Sequence, residues 1–159
     1  MSSSQRDAKF WIGAWWPVAL SAAVIATSSS TWFGADHTTG PLRWLWQSVF
    51  GAVSDVRWDV IHFFIRKSGH FTGYGLIGFA WLRAWRLTLP RTRLLLDIAL
   101  AVLGSAVLAS SDELHQAFLP NRTGSPWDVL LDCCGATAMC LLIFIGMRLF
   151  RSGPLEPAA

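Results

Sequence analysis

Across 159 residues the chain is 53% hydrophobic and only 14% charged, with ten tryptophans and a mean hydropathy of +0.41. Such a composition excludes an ordinary soluble domain, which must keep a charged surface, and points to one small membrane domain. The net charge of +3 does not signal nucleic acid as a partner, because the arginines flank apolar segments and do not line a soluble face.

Taken in chain order, residues 1–9 form a polar tail with Arg6 and Lys9, and no charge then interrupts the chain from Phe10 to Ala35. The run from Trp11 to Phe33 exceeds the ~20 residues a helix needs to cross the hydrocarbon core. It is too long for the h-region of a cleaved signal peptide, so the expectation is a retained first span. Between Pro41 and Arg66, Leu42, Leu45, Trp46, Val49, Phe50 and Val53 recur at helical spacing, followed by Trp58, Ile61, Phe64 and Ile65. That pattern predicts helical segments lying in the membrane interface within a long first loop.

Three further spans are expected near residues 69–85, 94–114 and 129–147, each with ionisable residues at its edges. Arg83 is expected to snorkel from the second span to the headgroups, and Asp97 to pair with Arg93. Pro90 and Arg91 belong to the turn between spans two and three. Cys133, Cys134 and Cys140 match neither zinc-ligand spacing nor a disulfide framework and read as small packing residues. The expected fold is all-α, an integral membrane four-helix bundle filling residues 10–150, with an interfacial helical segment in the first external loop and a tail at 151–159.

Basic residues then orient the bundle. Arg6, Lys9, Arg83, Arg86, Arg91, Arg93, Arg148 and Arg151 share one side, which the positive-inside rule makes cytoplasmic for both termini. The segments Asp36 to Arg66 and Pro120 to Trp127 then face outward.

On that outer side three polar faces begin. Lys67, His70 and Tyr74 stand at i, i+3 and i+7. Asp112 and Gln116 are i and i+4, with Glu113 beside them, and Asp128 and Asp132 are again i and i+4. Arg122 sits in a turn rich in Asn121, Thr123, Gly124 and Ser125. An ionisable group facing lipid costs a few kcal/mol or more, so groups of both signs at one level point to a shared, hydrated pocket. Gly69 and Gly73 on one helix, and Ala101, Ser105 and Ala109 on another, have the small-residue spacing that permits close helix approach.

The blocks Lys67-Ser68-Gly69-His70-Phe71-Thr72-Gly73-Tyr74-Gly75, Ser111-Asp112-Glu113-Leu114-His115-Gln116-Ala117-Phe118-Leu119-Pro120-Asn121-Arg122 and Asp128 through Gly135 resemble, in this order, the VanZ-like family of bacterial membrane proteins. The resemblance covers roughly Arg66 to Gly135 and maps Lys67, His70, Tyr74, Asp112, Glu113, Gln116, Arg122 and Asp128 onto the family's polar positions. Asp132 stands where the family usually has asparagine. The resemblance implies a multi-pass protein of the bacterial inner membrane, associated with resistance to glycopeptide antibiotics such as teicoplanin, and it implies no settled reaction.

Three functions compete. The pocket binds a cell-envelope molecule, with Arg122 and Lys67 holding an anionic headgroup of a lipid-linked or glycopeptide ligand. Alternatively it is catalytic, a hydrolase or transferase of a lipid-linked phosphate or acyl group using His70, Glu113 and Arg122. A divalent metal on His70, Asp112, Glu113 and Asp132 belongs to that version. In the third, the charges fix helix register and the protein is a non-catalytic membrane scaffold.

Overall fold

The computed structural model describes residues 7–30, 35–89, 93–119 and 122–151, apart from the side chains of Ala35, Asp36 and Arg151. Arg6, Pro90, Arg91, Pro120 and Asn121 lie outside the described residues. Five helices follow in order: α1 Ala8–Ser28, α2 Ala35–Phe50, α3 Asp55–Thr88, α4 Leu94–Ala117 and α5 Pro126–Arg151. Among the described residues there is no strand.

Three of these helices, α1, α4 and α5, are long and apolar enough to cross a membrane. The helix α3 is longer than any of them, but Asp55, Arg57, Asp59, Arg66 and Lys67 dilute its first half. Here the structure corrects the sequence reading. Trp58, Ile61, Phe64 and Ile65 do not belong to an interfacial loop helix; they continue straight into Gly69–Trp85 as one 34-residue helix. Only α2 is a separate helix in that loop. It ends at Gly51, whose φ of 85° lies in the left-handed region that favours glycine, and Ser54 then opens α3.

Helix α3 is the hub and packs against α1, α2, α4 and α5. Its contact with α5 keeps one register: Lys67 meets Asp128, His70 meets Asp132 and the Cys140 thiol meets the Gly78 carbonyl, at sequence separations of 61, 62 and 62. A constant separation means that the two helices run parallel, with α4 returning between them. The approach is close because Gly135 lies on the backbone of Phe71 and Gly78 on that of Ala136. On α4, Ala101, Ser105 and Ala109 are fully buried, as their spacing predicts. Gly69 and Gly73 are a correction: a β-carbon at either would meet nothing within 4 Å, so that pair does not mediate packing.

Helix α1 begins at Asp7, whose carboxylate accepts the Phe10 N–H at 2.9 Å. Within it Pro17 has no N–H, which leaves the Gly13 carbonyl without its usual helical donor. Arg83 of α3 supplies one, its Nη1 donating to Gly13 O at 3.1 Å and Ala14 O at 3.0 Å. The expected snorkelling arginine therefore ties two helices together. Similarly, the ion pair of fully buried Asp97 runs to Arg86 at 3.0 Å, where Arg93 was expected. Trp15, Trp81 and Trp85 pack edge-on or stacked at the same end, so these tryptophans act as helix packing and not only as interfacial anchors.

Candidate functional site

At the opposite end, the parallel register of α3 and α5 brings their polar faces together. The Lys67 ammonium forms an ion pair with Asp128, in the first turn of α5. One turn deeper, His70 Nδ1 lies 3.2 Å from Oδ1 of Asp132, which has no exposed surface. The carboxylate fixes the imidazole orientation, a geometry that suits either a histidine base or a metal ligand. Tyr74, a further turn along, is buried with Ile25, Ile77 and Ala109, and its hydroxyl has no partner among the described residues.

The end of α4 supplies the third wall. Asp112 accepts the hydroxyl of Ser29, just beyond α1, and the Gln116 amide at 3.0 Å, while that amide also reaches the Ser29 oxygen at 3.2 Å. Glu113 points to the following loop and accepts the Ser125 N–H at 2.7 Å. That loop packs tightly: at Gly124 a β-carbon would collide with the Glu113 carbonyl oxygen. Arg122 reaches the opposite way, its Nη2 donating to the Ser28 and Ser30 carbonyls at 2.8 and 2.9 Å. These are carbonyls at the C-terminal end of α1, where orphan acceptors and the negative end of the dipole attract a cation. All nine residues named from the sequence thus meet at one end of the molecule, on three helices and one loop.

Two cavities converge on them. One, of about 470 Å³, is polar and walled by Lys67, His70, Gln116, Arg122 and Asp128 together with Asp59, His62 and Arg66. The other, of about 450 Å³, is a mainly apolar groove along α1 and α3 containing Val24, Ile25, Gly73, Leu76 and Ile77. Arg66, His70, Gln116 and Arg122 line both.

Arg66 and His62 escaped the sequence reading as site residues. Arg66 makes no ion pair among the described residues, and its only signal was its place beside Lys67. His62 is buried, stacked on Trp58 at 5.5 Å and within 3.3 Å of the Thr38 hydroxyl. Burial first, then the positive charge of Arg66, holds its pKa below the usual imidazole value. The same two causes lower the Arg122 guanidinium from its ordinary value.

For a metal, His70, Glu113 and Asp132 each place one donor atom within 4.8 Å of the others. Asp112, expected among such ligands, is engaged by Ser29 and Gln116 instead. A family model described as VanZ/LLP1 matches residues 14–150. No curated protein and no solved structure matches the chain.

Proposed function

The chain belongs to the VanZ/LLP1 family of membrane proteins, and we propose that its pocket binds an anionic cell-envelope amphiphile on the extracytoplasmic side of the bacterial inner membrane. One observation carries this reading: a polar cavity and an apolar groove meet at Arg66, His70, Gln116 and Arg122. A ligand that is charged at one end and hydrocarbon at the other satisfies both spaces at once. Two guanidiniums at the junction suit a phosphate or carboxylate headgroup, because their planar donors can be bidentate. The groove between α1 and α3 takes the chain, and burying apolar surface there adds about 25 cal/mol per Å².

In this proposal Gly69–Trp85 is the fourth span and the basic residues before α1, between α3 and α4, and at the end of α5 place both termini in the cytoplasm. The site end then faces outward, where lipid-linked wall precursors and glycopeptides are met, which connects the reading to glycopeptide resistance. The test is retention of phosphatidylglycerol and of a polyprenyl phosphate by the purified full chain, read by native mass spectrometry against phosphatidylcholine. The anionic lipids are retained by the wild type, and Arg66→Ala reduces retention at least fivefold without lowering membrane abundance. Equal retention of phosphatidylcholine, or full retention by Arg66→Ala, refutes the reading.

The 3.2 Å contact between His70 and fully buried Asp132 favours a second reading, in which the bound headgroup is also cleaved or transferred. An imidazole held by a carboxylate can take a proton from water or act as the nucleophile, with Arg122 and Arg66 stabilising charge on a phosphoryl group. Release of inorganic phosphate from the polyprenyl phosphate by wild type but not by His70→Gln is the expected result. No release by the wild type excludes phosphatase chemistry and leaves binding.

A further inference from the structure

Three carboxylates are buried at the site end of the molecule, on residues that are 9%, 5% and 0% exposed: Asp112, which borders the apolar groove, Glu113 and Asp132. Among the described residues none of them forms an ion pair with a lysine or arginine. Lys67 goes to Asp128, and the Nη2 of Arg122 is taken by two backbone carbonyls. Buried negative charge without a countercharge is costly, so the partners of each carboxylate decide where a cation is wanted. Asp112 is satisfied by a hydroxyl and an amide. Glu113 is not: Oε2 accepts the Ser125 N–H, while Oε1 is buried with no hydrogen-bond partner among the described residues.

That half-satisfied carboxyl belongs to the group in which His70, Glu113 and Asp132 present donor atoms within 4.8 Å of one another. Ligands 2.0–2.2 Å from a tetrahedral first-row divalent ion stand roughly 3.3–3.6 Å apart, so the three side chains must draw together by up to about 1.5 Å to share one ion. We infer that His70, Glu113 and Asp132 together bind one divalent cation, of the Mn²⁺ or Zn²⁺ kind. One imidazole nitrogen with two carboxylates is a mixed donor set that these ions accept, whereas Mg²⁺ favours an all-oxygen, largely hydrated octahedron. The cation supplies the countercharge that no lysine or arginine among the described residues gives Glu113 and Asp132, and His70, which borders both cavities, opens the remaining coordination positions to the ligand space. This site rests on the pocket of the preceding proposal but not on its lipid.

The experiment uses the full chain, purified in detergent, stripped with a chelator and titrated with Mn²⁺ under electron paramagnetic resonance, with Zn²⁺ as competitor. The wild type takes up one equivalent saturably, and Glu113→Gln and Asp132→Asn each weaken binding at least about tenfold. Asp112→Asn and Arg66→Ala bind Mn²⁺ as the wild type does, although Arg66→Ala loses anionic lipid. The thermal midpoint of the wild type rises with added Mn²⁺ and that of Asp132→Asn does not, which separates lost ligation from lost folding. Absence of saturable uptake of either ion by the wild type, or uptake by Glu113→Gln and Asp132→Asn undiminished from wild type, overturns the inference while leaving the lipid measurement standing.

Discussion

Replacing Gly135 by alanine tests whether close contact between α3 and α5 sets the site. A methyl group there would overlap the Phe71 carbonyl oxygen and stand 2.9 Å from its carbon and 3.1 Å from the Phe71 α-carbon. Ordinary carbon–carbon contact begins near 3.5 Å, so the helices must separate by at least about 0.5 Å at this level. Position 135 lies less than one turn from Asp132, and Phe71 adjoins His70. The same displacement takes the His70–Asp132 distance from 3.2 Å beyond hydrogen-bonding range. Overpacking of this kind costs about 1–3 kcal/mol, against a gain of up to about 1 kcal/mol from the better helix propensity of alanine. The expected result is a lower midpoint in thermal unfolding of the purified chain, followed by tryptophan fluorescence, together with weakened Mn²⁺ and lipid binding. A midpoint equal to that of wild type with both ligands still bound refutes the close-contact account.

Gly69→Ala and Gly73→Ala are the converse case. With open space at both positions, each leaves the midpoint unchanged or raises it by the equivalent of up to about 1 kcal/mol, and a loss comparable to Gly135→Ala would show that they do mediate packing. Arg83→Ala removes two donors from the α1 carbonyls and costs about 1.5–3 kcal/mol in wild type. In a Pro17→Ala background position 17 regains its N–H for Gly13 O, so the double-mutant cycle shows coupling; strict additivity would sink the idea that Arg83 repairs the proline defect. Exchanging the charges in Lys67→Asp/Asp128→Lys keeps the ion pair across α3 and α5, so membrane abundance recovers relative to either single change. Lipid retention, measured as above, does not recover if the headgroup reads charge position, and full recovery would support the scaffold reading.

Four of the five helices were legible from hydrophobic runs, since periodicity and charge spacing mark where a helix can lie in or beside lipid. The continuity of α3 was not. Asp59, Arg66 and Lys67 lower the local hydropathy until the segment reads as a separate interfacial helix, whereas its first turns are held by contacts of Trp58 and His62 with Thr38 and Thr39 of α2. The polar site was legible because i, i+3 and i+4 spacings on three segments started at one predicted level of the membrane. Which carboxylate meets which cation was not, because it depends on the rotation of α3 against α5. Arg66 shows the same limit: it is adjacent to Lys67 in sequence, but only the position of α1 brings the apolar groove to it.

The length of α3 accounts for the polar cavity at this end. At 1.5 Å per residue, 34 residues span about 51 Å, against about 36 Å for the 24 residues of α4 and a hydrocarbon core of about 30 Å. Thr88 and Leu94 are joined by a short connection, so the two helices start level at one end and run antiparallel. The excess of about 15 Å must therefore emerge at the other end, beyond Gln116, as the stretch that begins at Asp55. Asp59 and His62 are on that overhang and wall the polar cavity, and α2 is fastened to it through the Trp58 and His62 contacts. His70, with Glu113 and Asp132 close by, borders that cavity where the overhang meets the ends of α4 and α5. In the proposed arrangement α3 both crosses the slab and extends past it, which puts its Arg66–His70 turn at the boundary between water and hydrocarbon. Two separate helices joined at that level would leave unpaired backbone groups beside the two cavities.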